Sequence, residues 1–190
     1  MYKRQGISAD DQEKIESSVD QIDVTITYEN GEQVVWLNGR NVNGLIRTEE
    51  VSRMASATSV NPKVRTKLVE LQRKLAAKEN VVMDGRDIGT VVLPDANVKI
   101  YLTASSAVRA KRRYEEQKAK GIDCNLEEIE KDIIERDHRD MTREISPLKQ
   151  AEDAILLDSS NMTIEEVADA VIALCKYCLL YTSPSPRDCS

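Results

Sequence analysis

The chain has 190 residues, a formal net charge of -6, 32% charged residues, 4% aromatic residues and no Phe. That length holds one domain with room for an inserted subdomain, and the acidic balance argues against a non-specific nucleic-acid binder, which needs a basic face. No apolar run approaches the ~20 residues that span a bilayer and no signal-peptide pattern opens the chain, so a cytoplasmic protein with a core of Val, Ile, Leu, Ala and Met is expected.

Residues 1–5, Met-Tyr-Lys-Arg-Gln, fit no element. Residues 24–47 read as β. Val24-Thr25-Ile26-Thr27-Tyr28 alternates, Asn30-Gly31 signals a tight turn, Gln33 to Leu37 alternates again, and Asn38-Gly39 marks a second turn. A meander this small needs something to pack on. Pro62 opens a helix carrying Val64, Leu68, Leu71 and Leu75 at helical spacing. A short strand is expected at Val81-Val82-Met83, then a loop, then a strand at 98–102. Ser105 to Lys120 is a charged helix stopped by Gly121. Asn125 caps the next helix, with Glu128 as its reaching acid. Ile155-Leu156-Leu157 is a third strand. Thr163 and Glu166 form a capping box for a last helix whose inner face is Ile164, Val167, Val171 and Cys175. Strands alternating with helices imply a parallel sheet covered on both faces. Residues 178–190 contain Pro-Ser-Pro and break from this pattern; they resemble a translated sequencing adapter, as do residues 1–5 in the opposite strand. Both are set aside as artefactual ends.

The chemistry concentrates at Asp84-Gly85-Arg86-Asp87-Ile88-Gly89-Thr90. An acid–base–acid cluster at the mouth of a strand is where open α/β folds bind ligands. Arg86 offers a planar fork to a phosphate, Asp87 an acceptor to a base amine or a neighbouring Arg, and Gly85 and Gly89 let the backbone approach a ligand. A second cluster spans Glu135 to Arg143. On a helix, Arg136, Arg139, Asp140 and Arg143 fall on one face. Guanidiniums so placed call for anions among them, although charge runs more often face water. From Arg109 to Arg143 there are ten Lys/Arg and ten Asp/Glu, so this is a pattern of Arg positions rather than a basic patch. Arg109, Lys111, Arg112 and Arg113 form a third basic group, and Arg65 stands near a helix start that suits an anion.

His138 is the only histidine, which makes a hydrolase triad or a His-ligated metal improbable. Cys175-x-x-Cys178, with Cys124 and Cys189 apart, is weak evidence for zinc, and a buried helical Cys with a tail is the plainer reading. No G-x-x-x-x-G-K-[ST] occurs in the 190 residues.

Together Asn43 to Val51, Asp84 to Val92, Pro94-Asp95-Ala96, Glu135 to Asp140, Pro147-Leu148 and Leu157 to Ser160 resemble the bacterial cytidylate kinases, over most of residues 38–175. The resemblance implies an α/β fold: a P-loop nucleoside-monophosphate kinase core, a helical lid at about 112–143 and a small antiparallel β insert. Residues 6–60 would hold the insert and residues 61–177 the core. It implies ATP-dependent phosphorylation of CMP and dCMP in pyrimidine metabolism, with Mg²⁺ accompanying ATP. Ser56, Arg65 and Asp87 match positions that read the cytosine edge, Arg86 and Arg143 those that grip the CMP phosphate, and Arg136 and Asp140 those at the ribose. Arg86, Arg139 and Arg143 are the expected catalytic guanidiniums, with Arg112, Arg113 and Arg139 on the ATP side of the lid. A monomer acting on small molecules, without nucleic acid or membrane, follows.

The family's opening strand, its P-loop with Lys and the helix after it have no counterpart here. An amino-terminal truncation is therefore expected, and with it a chain that does not itself phosphorylate CMP. A non-catalytic nucleotide-binding module and a kinase for UMP or AMP remain the alternatives.

Overall fold

The computed structural model describes residues 6–8, 11–46, 48–59 and 61–182, with the backbone alone at 49, 56 and 180–182. Expectations for residues 1–5, Arg47, Cys189 and the tail after Thr182 lie outside the described residues. The chain divides into two compact units, residues 1–83 and 84–190.

In the first unit, helix α1 (Gln12–Val19) starts where the Asp11 side chain accepts from Lys14 N. It buries Ile15 and Val19 against Val64 of helix α3 (Pro62–Ala76), with Ile7, Ile22 and Met54 around them. Asn61 explains why α3 begins and where it docks. Its Oδ1 accepts from Lys63 N and Val64 N, while its Nδ2 donates to Gln12 Oε1 at 2.7 Å and Glu16 Oε1 at 2.9 Å. Cap and inter-helix clamp are therefore one side chain, and it is buried. Helix α2 (Glu49–Thr58) starts at a Thr48 cap.

The expected meander forms. Strands β1 (Val24–Glu29), β2 (Glu32–Leu37) and β3 (Arg40–Asn41) make an antiparallel sheet in that order. Asn30 and Gly31 take φ of 53° and 82°, and Asn38 and Gly39 take 49° and 73°. Two successive positive φ values twist a two-residue turn to match its strands, which is why Asn-Gly appears at each turn. Asn43 extends the ladder beyond β3, accepting from Val35 N and donating to Gln33 O.

In the second unit, β4 (Ile100–Thr103) pairs in parallel with β5 (Ile155–Asp158), Ile100 opposite Ile155 and Thr103 opposite Asp158. Helix α4 (Ser106–Ala119) leaves β4 through the Ser105 cap and ends before Gly121, whose φ is +71°. Helix α5 (Leu126–Thr142) packs back along α4 from an Asn125 cap that accepts from Glu127 N and Glu128 N. Helix α6 (Ile164–Thr182) opens on the expected capping box: Thr163 Oγ1 accepts from Glu166 N, and Glu166 Oε2 accepts from Thr163 N.

Two expectations need correction. Val81-Val82-Met83 is not a strand; these residues pair with nothing in the described sheets and Val82 is fully exposed. An apolar run supplies strand propensity, but a strand exists only where a partner accepts its hydrogen bonds. The parallel sheet among the described residues accordingly has two strands rather than three. Ile164 is 85% exposed and does not belong to the inner face of α6, because it occupies the first helical position, where the turn still faces outward.

A candidate phosphate-binding cluster

The Asp84 to Thr90 segment opens the second unit. It runs into a single π-helical turn, Ile88–Val92, in which the Asp87 carbonyl accepts from Thr90 N, Val91 N and Val92 N, and Ile88 O accepts from Leu93 N at 2.7 Å. Such turns are rare and gather at functional sites. The widened turn buries Val92 as its apolar anchor and leaves Asp87 buried beside it, while Arg86 remains exposed. Gly85 serves this turn directly. A Cβ there would meet Ile88 Cγ1 at 2.9 Å, so the room that Gly creates is filled by Ile88. At Gly89 the neighbour is the Lys99 stem, at 3.4 Å. Both glycines thus accommodate the protein's own side chains.

Arg86 reaches across to α5. Its Nε donates to Asp140 Oδ2 at 2.8 Å. Arg136 Nε lies 4.0 Å from the same oxygen, and Arg143 Nη1 lies 3.9 Å from Asp140 Oδ1. The helical spacing makes this possible: Arg136 and Arg143 are one turn before and one turn after Asp140. Arg143 Nε also donates to Ser146 O at 2.6 Å, and Leu148 N donates to Asp140 O at 2.7 Å, so the chain after α5 folds back onto the helix end. Ser146 takes a positive φ of 50° to make that reversal, which gives Pro147-Leu148 a structural role in holding the cluster.

Even with Arg143 left aside, Arg86 and Arg136 share one carboxylate. Asp140 is buried while Arg86 and Arg136 stay nearly half exposed. That combination is a rigid acidic pivot surrounded by guanidiniums whose outer faces remain open to a tetrahedral anion.

The other named residues fall elsewhere. Arg139 is exposed and makes no ion pair among the described residues. Arg112 is engaged as a brace, its Nη2 donating to Ser159 O at 2.6 Å and Met162 O at 2.9 Å. Arg113 is half-buried on α4. Arg65 sits in the first turn of α3, half-buried, and Ser56 lies on α2 with its side chain outside the described residues; both belong to the first unit. That unit also holds an apolar hollow of ≈ 240 Å³ lined by Val19, Ile22, Val51, Met54 and Val64 among others. It lacks the cation cluster that anion recognition requires, so the chemistry is assigned to the Arg86–Asp140 group.

Sequence reasoning missed the partners. Asp137 stood in a quoted motif without a role, yet it receives Arg109 through both carboxylate oxygens, at 3.1 and 2.5 Å. Ser160 ties the post-β5 turn together, with its N and Oγ on Asp158 Oδ1, which holds the Asp158 carboxyl below its ordinary value. Only the acids' presence among the Arg positions signalled either contact.

A sequence model of the cytidylate kinase family matches residues 1–177. The chain is 46% identical over 174 residues to the cytidylate kinase of Carboxydothermus hydrogenoformans, covering 92% of this chain and 78% of that protein. It is 52% identical over 157 residues to the cytidylate kinase of Lactobacillus gasseri, covering 83% and 68%. With cytidylate kinase 1 of Haemophilus influenzae it shares 47% over 152 residues, covering 80% and 66%.

Proposed function

The chain belongs to the cytidylate kinase family, and on that premise we propose that its Arg86–Asp140–Arg143 cluster holds the phosphate of CMP or dCMP for phosphorylation by ATP. Arg86 and Arg143 grip the acceptor phosphate, with Arg136 and Asp140 beside it at the ribose. Asp87 reads the polar edge of cytosine. The observation that carries this reading is the 2.8 Å bond from Arg86 Nε to Asp140, because it gathers guanidiniums from two distant segments around one point.

The chemistry follows from that gathering. An oxygen of the CMP phosphate attacks the γ-phosphorus of ATP in line, the bond from that phosphorus to the β,γ-bridging oxygen breaks, and CDP and ADP result. Negative charge spreads over the transferring group, and preorganised guanidiniums stabilise it without reorganising. Arg86, Arg139 and Arg143 supply that charge, and Arg113 and Arg139 face the donor. Arg112, engaged on the Ser159 and Met162 carbonyls, contributes by bracing the lid helix. Closure of the α4–α5 hairpin, at about 112–143, excludes water from the donor and suppresses its hydrolysis.

The described residues contain no group of three or more His, Cys, Asp or Glu side chains fit to seat a metal ion. Mg²⁺ is proposed to arrive on the phosphates of ATP, as the family resemblance implies. No described helix is long and apolar enough to cross a membrane.

Titration calorimetry with CMP, dCMP, UMP and AMP tests the reading, while a coupled assay on these 190 residues, which contain no G-x-x-x-x-G-K-[ST], is expected to show no ATP-dependent CDP formation. Tighter binding of the two cytidine nucleotides than of UMP and AMP is expected. Equal affinity for all four, or preference for AMP, overturns it.

A further inference from the structure

The α4–α5 hairpin carries a second charge constellation, distinct from the Arg86–Asp140 cluster. Arg109, on the first turn of α4, uses its whole guanidinium. Its Nε donates to Ala104 O at 3.0 Å, Nη1 to Asp137 Oδ1 at 3.1 Å and Nη2 to Asp137 Oδ2 at 2.5 Å. Ala104 is buried and directly follows β4. The sheet end, α4 and α5 are thus joined through one planar group. Two turns earlier on α5, Glu130 Oε1 accepts from Ser106 Oγ at 3.0 Å. Glu130 and Asp137 are seven residues apart, so they lie on one stripe of α5 and face α4 together.

We propose that Asp137 is a positioning residue: its two-oxygen grip on Arg109 sets the roll of α5 about its axis and so aims Asp140 and Arg143 at Arg86. The inference rests on the phosphate-binding reading above. Asp140 is three residues beyond Asp137, on the adjoining face, so the two acids turn together as α5 turns. A side-chain tip about 6 Å from a helix axis moves about 2 Å when the helix rolls about 20°. A movement of that size breaks a 2.8 Å bond such as that from Arg86 Nε to Asp140. Ser106–Glu130 alone leaves a single bond, from a hydroxyl to one carboxylate oxygen, to resist the roll. A guanidinium–carboxylate pair with two parallel bonds resists it much more strongly, because both bonds must bend at once. The competing account is an ordinary ion pair, Arg109 being 37% and Asp137 21% exposed, with a small effect on stability and none on the cluster.

The test uses the full chain and two readouts that a merely stabilising pair would not move. One is CMP affinity by calorimetry. The other is the ¹⁵N resonance of Arg86 Nε, assigned by its loss in Arg86→Lys, which reports the bond to Asp140 without any ligand. Asp137→Asn is expected to weaken CMP binding about tenfold, the low end of what losing an outer-shell support costs, and to shift the Arg86 resonance toward its solvent-exposed position. Asp137→Glu is expected to recover part of both. Wild-type affinity and an unmoved resonance in Asp137→Asn, with only a lower melting temperature, overturn the proposal. Should Asp137→Asn not fold, the same readouts on Arg109→Lys decide it, since Lys keeps the charge and loses the fork. If the wild-type chain binds no CMP, the phosphate reading fails by itself, and the Arg86 resonance still decides whether Asp137 sets the roll.

Discussion

Replacing Asp140 by Asn separates a structural carboxylate from one that also serves a ligand. The residue is 8% exposed and its side chain 11%, while the Arg86 side chain bonded to it is 42% exposed. Hydrogen bonds to charged groups contribute about 1.5–3 kcal/mol when well shielded. Solvent around Arg86 brings this pair to the bottom of that range or below it. Asn keeps the volume and one acceptor oxygen, so Asp140→Asn should cost about 1 kcal/mol. For a protein of this size that lowers the melting temperature by about 2–4 °C. Binding should respond with two signs. Arg86 and Arg136 lose the carboxylate they share, so the affinity for inorganic phosphate rises. CMP affinity falls about tenfold, because a charged acceptor for a ribose hydroxyl is lost at about 1.4 kcal/mol. For dCMP, which lacks the 2′-hydroxyl, the loss should be smaller. Calorimetry with phosphate, CMP and dCMP, beside a thermal melt, measures all four quantities. A lower melting temperature with unchanged affinity for CMP and dCMP would refute the assignment of Asp140 to the nucleotide.

Arg86→Lys keeps the charge and loses the planar fork; CMP should bind about tenfold more weakly in calorimetry, at about 1.4 kcal/mol, with secondary structure unchanged by circular dichroism. Asn61→Ala removes a helix cap and two inter-helix bonds from a buried site; a loss of about 1–2 kcal/mol from the cap alone should appear as faster amide exchange in α1 and α3 of the first unit. Ser160, through its side chain and then its backbone N–H, holds the Asp158 carboxyl below its ordinary value of 3.8. Because the folded value is the lower one, the stability this carboxyl contributes is complete above the unfolded value and disappears as pH falls through the folded value. Melts taken downward from about pH 5 should therefore show a shallower acid limb in Asp158→Asn than in the wild type; an identical limb means the bond does not couple to folding.

Local rules read from the sequence held wherever the physics is local. The Asn-Gly turns, the helix start at Pro62, the Asn125 cap, the Thr163–Glu166 box and the Gly121 stop each depend on backbone dihedrals and on hydrogen bonds spanning a few residues. A chain segment carries those with it. The motifs that named the family were legible for a related reason, since the residue order at the 84–90 turn and along α5 survives without coordinates. Strand 81–83 failed because pairing is not a property of a segment: Val82 has the propensity and no partner among the described residues.

Helical spacing placed Arg136, Arg139, Asp140 and Arg143 on one side of α5, and no more than that could come from the chain alone. The three-dimensional arrangement decided that Asp140 receives Arg86 from 54 residues away, that Arg112 braces the turn after β5, and that Asp137 takes both ends of Arg109. Ion pairs of this kind hinge on where two elements dock. Docking is settled by buried apolar area and by the phase of each helix, quantities distributed over the whole chain, whereas the identity of each charged residue is written at one position.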